Sequence, residues 1–250
     1  LGNDNVKKGK LKAATEETFL KFKESFPGII EMPMKNSISK IESLGIFVLI
    51  SAAPLEVSGF CMTIGEDTFI FVNKNHVLGR QNFSLWHEVY HWFTESTGSV
   101  SIVNEQENSE IEYQADYFAS LVLLDKNHLS EKLWEMGIRN SNNAKYISYD
   151  HIIKLQHYFQ VSYSSMVRKI IEIYPNSNLS SRYALGIPAR QDELIRKTLD
   201  LNLSVNLIQP SKNTYISREL FILLEKLHSE NKISKSKVFS IMDFIEKELS

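Results

Sequence analysis

Two histidines four residues apart with a glutamate directly after the first, His87, Glu88 and His91, stand inside the apolar stretch "NFSLWHEVYHWF" (82–93). On a helix, side chains at i and i+4 lie one turn above each other, so both imidazoles can reach one metal ion. Glu88 is rotated to the side and faces the ion's remaining coordination position, where a carboxylate can accept a proton from water. The spacing suits a water-activating zinc site. The competing reading is a buried helix whose histidines are satisfied by the core.

Catalytic zinc takes three protein ligands and keeps one position open. An extended pattern with a third histidine on the same stretch fails, because Thr94 stands where glycine is needed and Thr97 where histidine is needed. That directs attention to an acidic ligand. The run "EIEYQAD" (110–116) offers Glu112, with Asp116 one turn later to accept the ring N–H of a ligating histidine. Ala115 and Ala119 would let that helix approach the first closely. Glu105, Glu107 and Glu110 compete as third ligand, and Glu112 is preferred because only it is followed by this Asp and Ala pattern. Candidate donors to a developing oxyanion are Tyr90, Tyr113, His128 and Arg182, each with a plain alternative as a half-buried tyrosine or a solvated surface group. The ligand set fits Zn2+, and Mn2+ or Fe2+ as well.

The elements that must hold these residues follow from hydrophobic patterning. With 43% hydrophobic and 23% charged residues, the chain has the composition of a folded globular protein. A net charge of -2 gives no overall attraction to nucleic acid or an acidic membrane. The single cysteine, Cys61, excludes an internal disulfide and a thiolate-rich zinc site. The longest apolar run, "LGIFVLISAAPL" (44–55), is too short to span a bilayer, so a soluble cytoplasmic protein without a membrane partner is expected.

Residues 11–25 read as a helix ended by Pro27 and Gly28, with no weight given to residues 1–10. "IFVLI" reads as a buried strand and "SGFCMTIGEDTFIFVNK" as a hairpin turning at "GED". The helix with both histidines is expected from Asn82 to about Glu95, and a second from about Glu105 to Leu124. Further helices are expected at about 128–136, 148–158 and 162–173, with two near the end, and residues 174–191 read as a linker. The strand "TFIFVN" (68–73), if it lies at a sheet edge, could pair with an extended substrate; the alternative is a central strand.

The expected fold is α+β: a small mixed sheet of three or four strands backed by the two metal-bearing helices, zincin-like, then a mainly helical C-terminal half. Its expected divisions are an N-terminal extension (1–28), a metallopeptidase domain (29–136), a helix-turn-helix-like region (137–190) and a C-terminal helical region (191–250).

The stretches "LGIFVLI", "SGF", "TFIFVNKNHVLGRQNFSLWHEVYHWF" and "EIEYQADYFASLVLL" resemble the ImmA/IrrE family of gluzincin-like metallopeptidases, over about residues 30–125. A weaker likeness continues through residues 152–170. The resemblance implies His87, His91 and Glu112 as metal ligands and Glu88 as catalytic base. It also implies a protein substrate, a helix-turn-helix transcriptional repressor whose cleavage or inactivation releases stress-response or mobile-element genes. Tyr90 departs from the small residue usual in the family before the second histidine, and "LLDKNH" from the usual end of the second helix. Two other readings compete: a DNA-binding or regulatory protein with a non-catalytic metal, resting on "HIIKLQHYFQVSYSSMVRKI", and a pseudo-peptidase that binds the ion without turnover.

Overall fold

The computed structural model describes residues 2–96, 100–102 and 109–248. Ile46, Val48 and Ile50 of β1 (Ile46–Ser51) are buried, the alternation a strand shows when one face meets a core. β2 (Val57–Ile64) and β3 (Asp67–Asn73) form the hairpin read from the sequence, turning at Gly65 with φ +63°. β3 also runs parallel to β1. β4 (Val100–Ile102) pairs antiparallel with the other side of β2. A two-residue strand, β5 (Tyr215–Ile216), pairs antiparallel with β1, so the order is β4-β2-β3-β1-β5. Among the described residues the sheet is therefore mixed and has five strands, against the three or four expected. β5 is too short and too distant in sequence for alternation to reveal it. Residues 68–73 are central and paired on both sides, the second of the two readings of this strand, so it has no free edge for a substrate strand to join.

The first helix, α1 (Gly2–Ser25), starts before the expected residue 11. Phe22 on it is fully buried, edge-on to Trp86, Phe93 and Phe118 with ring centroids 6.3, 5.2 and 5.5 Å away. After the short α2 (Ser37–Glu42) and the hairpin comes α3 (Leu78–Phe93), which begins four residues before the expected Asn82. Val77 gives no side-chain cap there. The start is fixed by tertiary contacts: the Leu78 N–H donates to the Gln209 carbonyl at 3.0 Å, and Gln81 Nε2 donates to the carbonyls of Lys74 and His76 at 3.0 and 2.6 Å. α4 (Ser109–Leu123) packs along α3, and its Ala115 and Ala119 are fully buried.

Next come α5 (Lys126–Glu135), the four-residue α6 (Ser141–Ala144), α7 (Tyr149–Phe159) and α8 (Tyr163–Ile173). Ser148 caps α7 and Ser162 caps α8, and Gln160 between them is left-handed. The α7–α8 turn rests on Gly79 of α3, where an added Cβ would stand 2.5 Å from the Val161 carbonyl carbon and 2.6 Å from the Ser162 nitrogen. Met166, Val167, Lys169 and Ile170 of α8 are buried. This helix pair is thus packed into the molecule, and its second helix does not offer the exposed face that a major groove requires.

The segment 174–191 is not a linker. It winds into two 3-10 turns, Leu179–Gly186 and Pro188–Arg190, with Leu179 and Leu185 buried. Its Pro, Asn and Ser content reflects turn chemistry, not solvation of a free segment. α9 (Gln191–Asp200), a 3-10 turn Val205–Ile208, α10 (Arg218–Ser229) and α11 (Lys235–Glu248) complete the described chain. Among the described residues no helix is long and apolar enough to cross a membrane.

Candidate metal centre

Residues 87 and 91 lie one turn apart on α3, and α4 crosses close enough for Glu112 to meet both. His87 Nε2 and His91 Nε2 are 3.2 Å apart. Glu112 Oε2 is 3.0 Å from the first and Oε1 is 3.3 Å from the second. Tetrahedral ligands at about 2.0–2.1 Å from zinc stand about 3.3–3.4 Å from one another. Three donor atoms already converge at nearly that spacing, so two imidazoles and a carboxylate fit a divalent ion of this kind.

The same convergence creates a strong charge pairing. Burial opposes the charged form of His87, but hydrogen bonds to Asp116 and Glu112 outweigh it and raise its pKa to about 10. Burial likewise disfavours ionised Glu112, yet the hydrogen bonds from His87 and His91 hold its pKa down at about 2.

Each histidine is oriented through its other nitrogen. His87 Nδ1 lies 3.0 Å from Asp116 Oδ1, and since a carboxylate oxygen accepts, the ring N–H donates and Nε2 is turned towards Glu112. His91 Nδ1 lies 3.1 Å from Ser96 Oγ. Sequence reasoning missed Ser96, because its approach depends on how α3 ends. Glu95 is left-handed at φ 55°, the Ser96 N–H reaches back to the His91 carbonyl at 2.9 Å, and the Glu95 N–H to that of Trp92 at 3.2 Å. These two bonds make a Schellman turn, and the turn carries the Ser96 hydroxyl to His91. The signal available in the sequence was a serine five residues after the second histidine.

Glu88 is fully buried. Its carboxylate lies against Gly59 of β2, where an added Cβ would stand 3.2 Å from Oε1 and 2.7 Å from the Phe71 carbonyl oxygen. Glycine is what leaves room for it, and the β2–β4 register shifts between Val57 and Gly59. Burial, with the nearby charge of Glu88, pushes the Cys61 thiol up to about 12, so this cysteine remains protonated and has no nucleophilic part to play.

The other candidates are placed elsewhere or differently. Glu110 pairs with Lys7 on α1 at 2.6 Å, while Glu105, Glu107 and Thr97 lie outside the described residues. Tyr90 is buried, its ring 5.6 Å from Phe118 and 6.0 Å from His91. Tyr113 lines a cavity of about 400 Å³ with Lys12, Asp116 and Arg168. His128 bonds the Tyr158 hydroxyl at 2.9 Å, and Arg182 Nε donates to the Ile147 carbonyl at 2.9 Å. None of these four is among the three residues whose donor atoms converge, His87, His91 and Glu112. A cation that the sequence reading overlooked, Arg80, sits two helical turns before His87 and therefore on the same stripe of α3. It interacts electrostatically with Asp116 and donates to Ser58 Oγ at 3.1 Å.

Residues 41–170, more than half of the 250-residue chain, match a peptidase family whose domain is described as IrrE N-terminal-like. No curated protein matches the chain.

Proposed function

The chain belongs to the IrrE N-terminal-like family of metal-dependent peptidases, and from that premise we propose that it is a zinc endopeptidase acting on a helix-turn-helix transcriptional repressor, releasing stress-response or mobile-element genes. The observation that carries the catalytic part is the convergence of His87, His91 and Glu112 next to a buried Glu88. Those three residues would hold the ion, with Mn2+ or Fe2+ as chemically acceptable substitutes. When bound, the ion acidifies water and polarises the scissile carbonyl.

The protein's own groups do the rest. Glu88 takes the proton of the attacking water and passes it to the leaving amine nitrogen. The wall formed by β2 around Gly59 keeps that carboxylate close-packed and away from bulk water, which strengthens its charge interactions. Asp116 and Ser96 hold the two imidazoles in the tautomer that leaves each Nε2 free to ligate. β4, at the end of the sheet beside β2, offers the strand on which an extended substrate backbone could be aligned.

The test compares host cells producing the wild type with cells producing Glu88→Gln, mapping new protein N-termini. Termini that appear only with the wild type, inside a helix-turn-helix protein, are the expected result. Wild-type-specific termini in other proteins alone would leave the peptidase standing and remove the repressor. No difference between the two, with metal bound in both, would favour the pseudo-peptidase.

A further inference from the structure

Asp116 belongs to two places at once. Its Oδ1 lies 3.0 Å from His87 Nδ1, and the same residue lines the cavity of about 400 Å³, which is within the size range of ligand pockets. The wall comes from Phe83 on α3, one turn before His87, from Tyr113, Ser120 and Leu124 on α4, from Arg168 on α8 and from Tyr183 in the 3-10 turn Leu179–Gly186. The side chains that lead from the ligand residues to this wall are open to solvent, Glu112 by 31% and Asp116 by 53%. A group placed at the three ligand residues can therefore extend along α4 into the cavity without displacing buried structure.

Most of the charge around the cavity is already paired. Lys12 and Lys169 both meet Glu172, at 2.9 and 3.2 Å. Tyr117 donates to Glu16 at 2.8 Å, and Asp116 is held by His87 and faces the charge of Arg80. What is left is an apolar and aromatic wall with one exposed cation, Arg168, which has no ion-pair partner among the described residues. Such a wall favours a large apolar side chain, and an unpaired guanidinium disfavours a second cation beside it. We propose that the cavity receives the side chain of the substrate residue next to the scissile bond, that a large apolar residue such as phenylalanine fills it, and that Arg168 excludes lysine and arginine there. The occupant, a peptide, rests on the peptidase reading above; the selected residue is what the cavity adds.

Binding tests this without turnover. The zinc-loaded Glu88→Gln chain is titrated calorimetrically with the N-acetyl hydroxamates of phenylalanine, alanine and lysine, whose hydroxamate groups bind zinc and leave the side chain beside it. The phenylalanine compound should bind at least tenfold tighter than the alanine compound, and the lysine compound no tighter than alanine. Adding Ser120→Phe, which fills the cavity, should remove the phenylalanine advantage at an unchanged melting temperature. Adding Arg168→Glu, an exposed change, should tighten the lysine compound about tenfold. Equal binding of the phenylalanine and alanine compounds, no binding by any of the three, or lysine binding unchanged by Arg168→Glu would overturn the proposal. Digestion of denatured host protein by the wild type decides the peptidase reading separately. Cleavage without a phenylalanine advantage would leave the peptidase and remove the pocket, whereas the advantage without cleavage would keep a peptide side-chain pocket and remove turnover.

Discussion

In the metal-free protein His87 stays charged well past neutrality, with its pKa raised to about 10, so a metal ion has to displace its Nε2 proton before it can ligate. Glu112, held near 2, is already ionised and releases nothing above that pH. Apparent metal affinity should therefore rise with pH up to about 10. Titrating zinc at pH 7.5 in buffers of different ionisation enthalpy should show release of at least one proton, and a pH-independent affinity would contradict the charged His87. For the folding of the metal-free chain the signs are opposite for the two partners. His87 contributes stability fully below about pH 6.5 and loses it as pH rises towards 10, whereas Glu112 contributes above about pH 4.5 and loses it as pH falls towards 2. Ser96→Ala removes the acceptor that fixes His91 and should weaken zinc binding about 10–100-fold with the fold retained, as measured by competition with a chelating dye. Of these residues the pairing of His87 with His91 was legible from helical spacing, and Glu112 with Asp116 from their own spacing and the small residues beside them; that the two helices meet was not, since it depends on packing. Ser96 was hidden because it reaches His91 through a helix end, and Gly59 because its value lies in the space it leaves on another strand.

The elements differ in how they are specified. β1, β2, β3 and the body of α3 follow from hydrophobic periodicity, and the capping serines place α7 and α8 close to their expected limits. The start of α3 does not, since its bonds come from Gln209 and from the side chain of Gln81, and neither belongs to a local capping signal. α9 was missed for a related reason: it follows directly on turns whose composition resembles a linker. The end of α3 carries a local strain. Glu95 adopts a left-handed conformation that glycine takes without steric cost. Glu95→Gly should raise stability by about 0.5–1 kcal/mol, the relief of that strain being partly offset by the greater freedom of glycine in the unfolded chain. Urea unfolding measures it, and a lowered midpoint would mean that the glutamate side chain contributes more than its backbone loses.

At the scale of the whole molecule, residues far apart in sequence complete what α3 and α4 begin. α1 inserts Phe22 against Trp86, next in sequence to His87, and against Phe118 of α4. Phe22→Ala should cost about 3–5 kcal/mol, seen as a lower urea midpoint, because a fully buried aromatic ring leaves a cavity that the surrounding rings only partly fill. An unchanged midpoint would show that α1 docks without stabilising the rest. At the other end, β5 covers the side of β1 away from β3, and the Ser217 hydroxyl beyond it bonds the Val48 N–H at 2.6 Å and the Glu42 carboxylate at 2.6 Å. During synthesis the ligand residues leave the ribosome roughly 100 residues ahead of β5, a delay of about 5–20 s at ordinary translation speeds. For that interval the nascent chain displays the apolar edge of β1, a template for pairing with other chains. The timing of translation over the stretch of message between α4 and β5 thus becomes part of how safely this peptidase is made, and slow codons there would favour aggregation without altering a single residue.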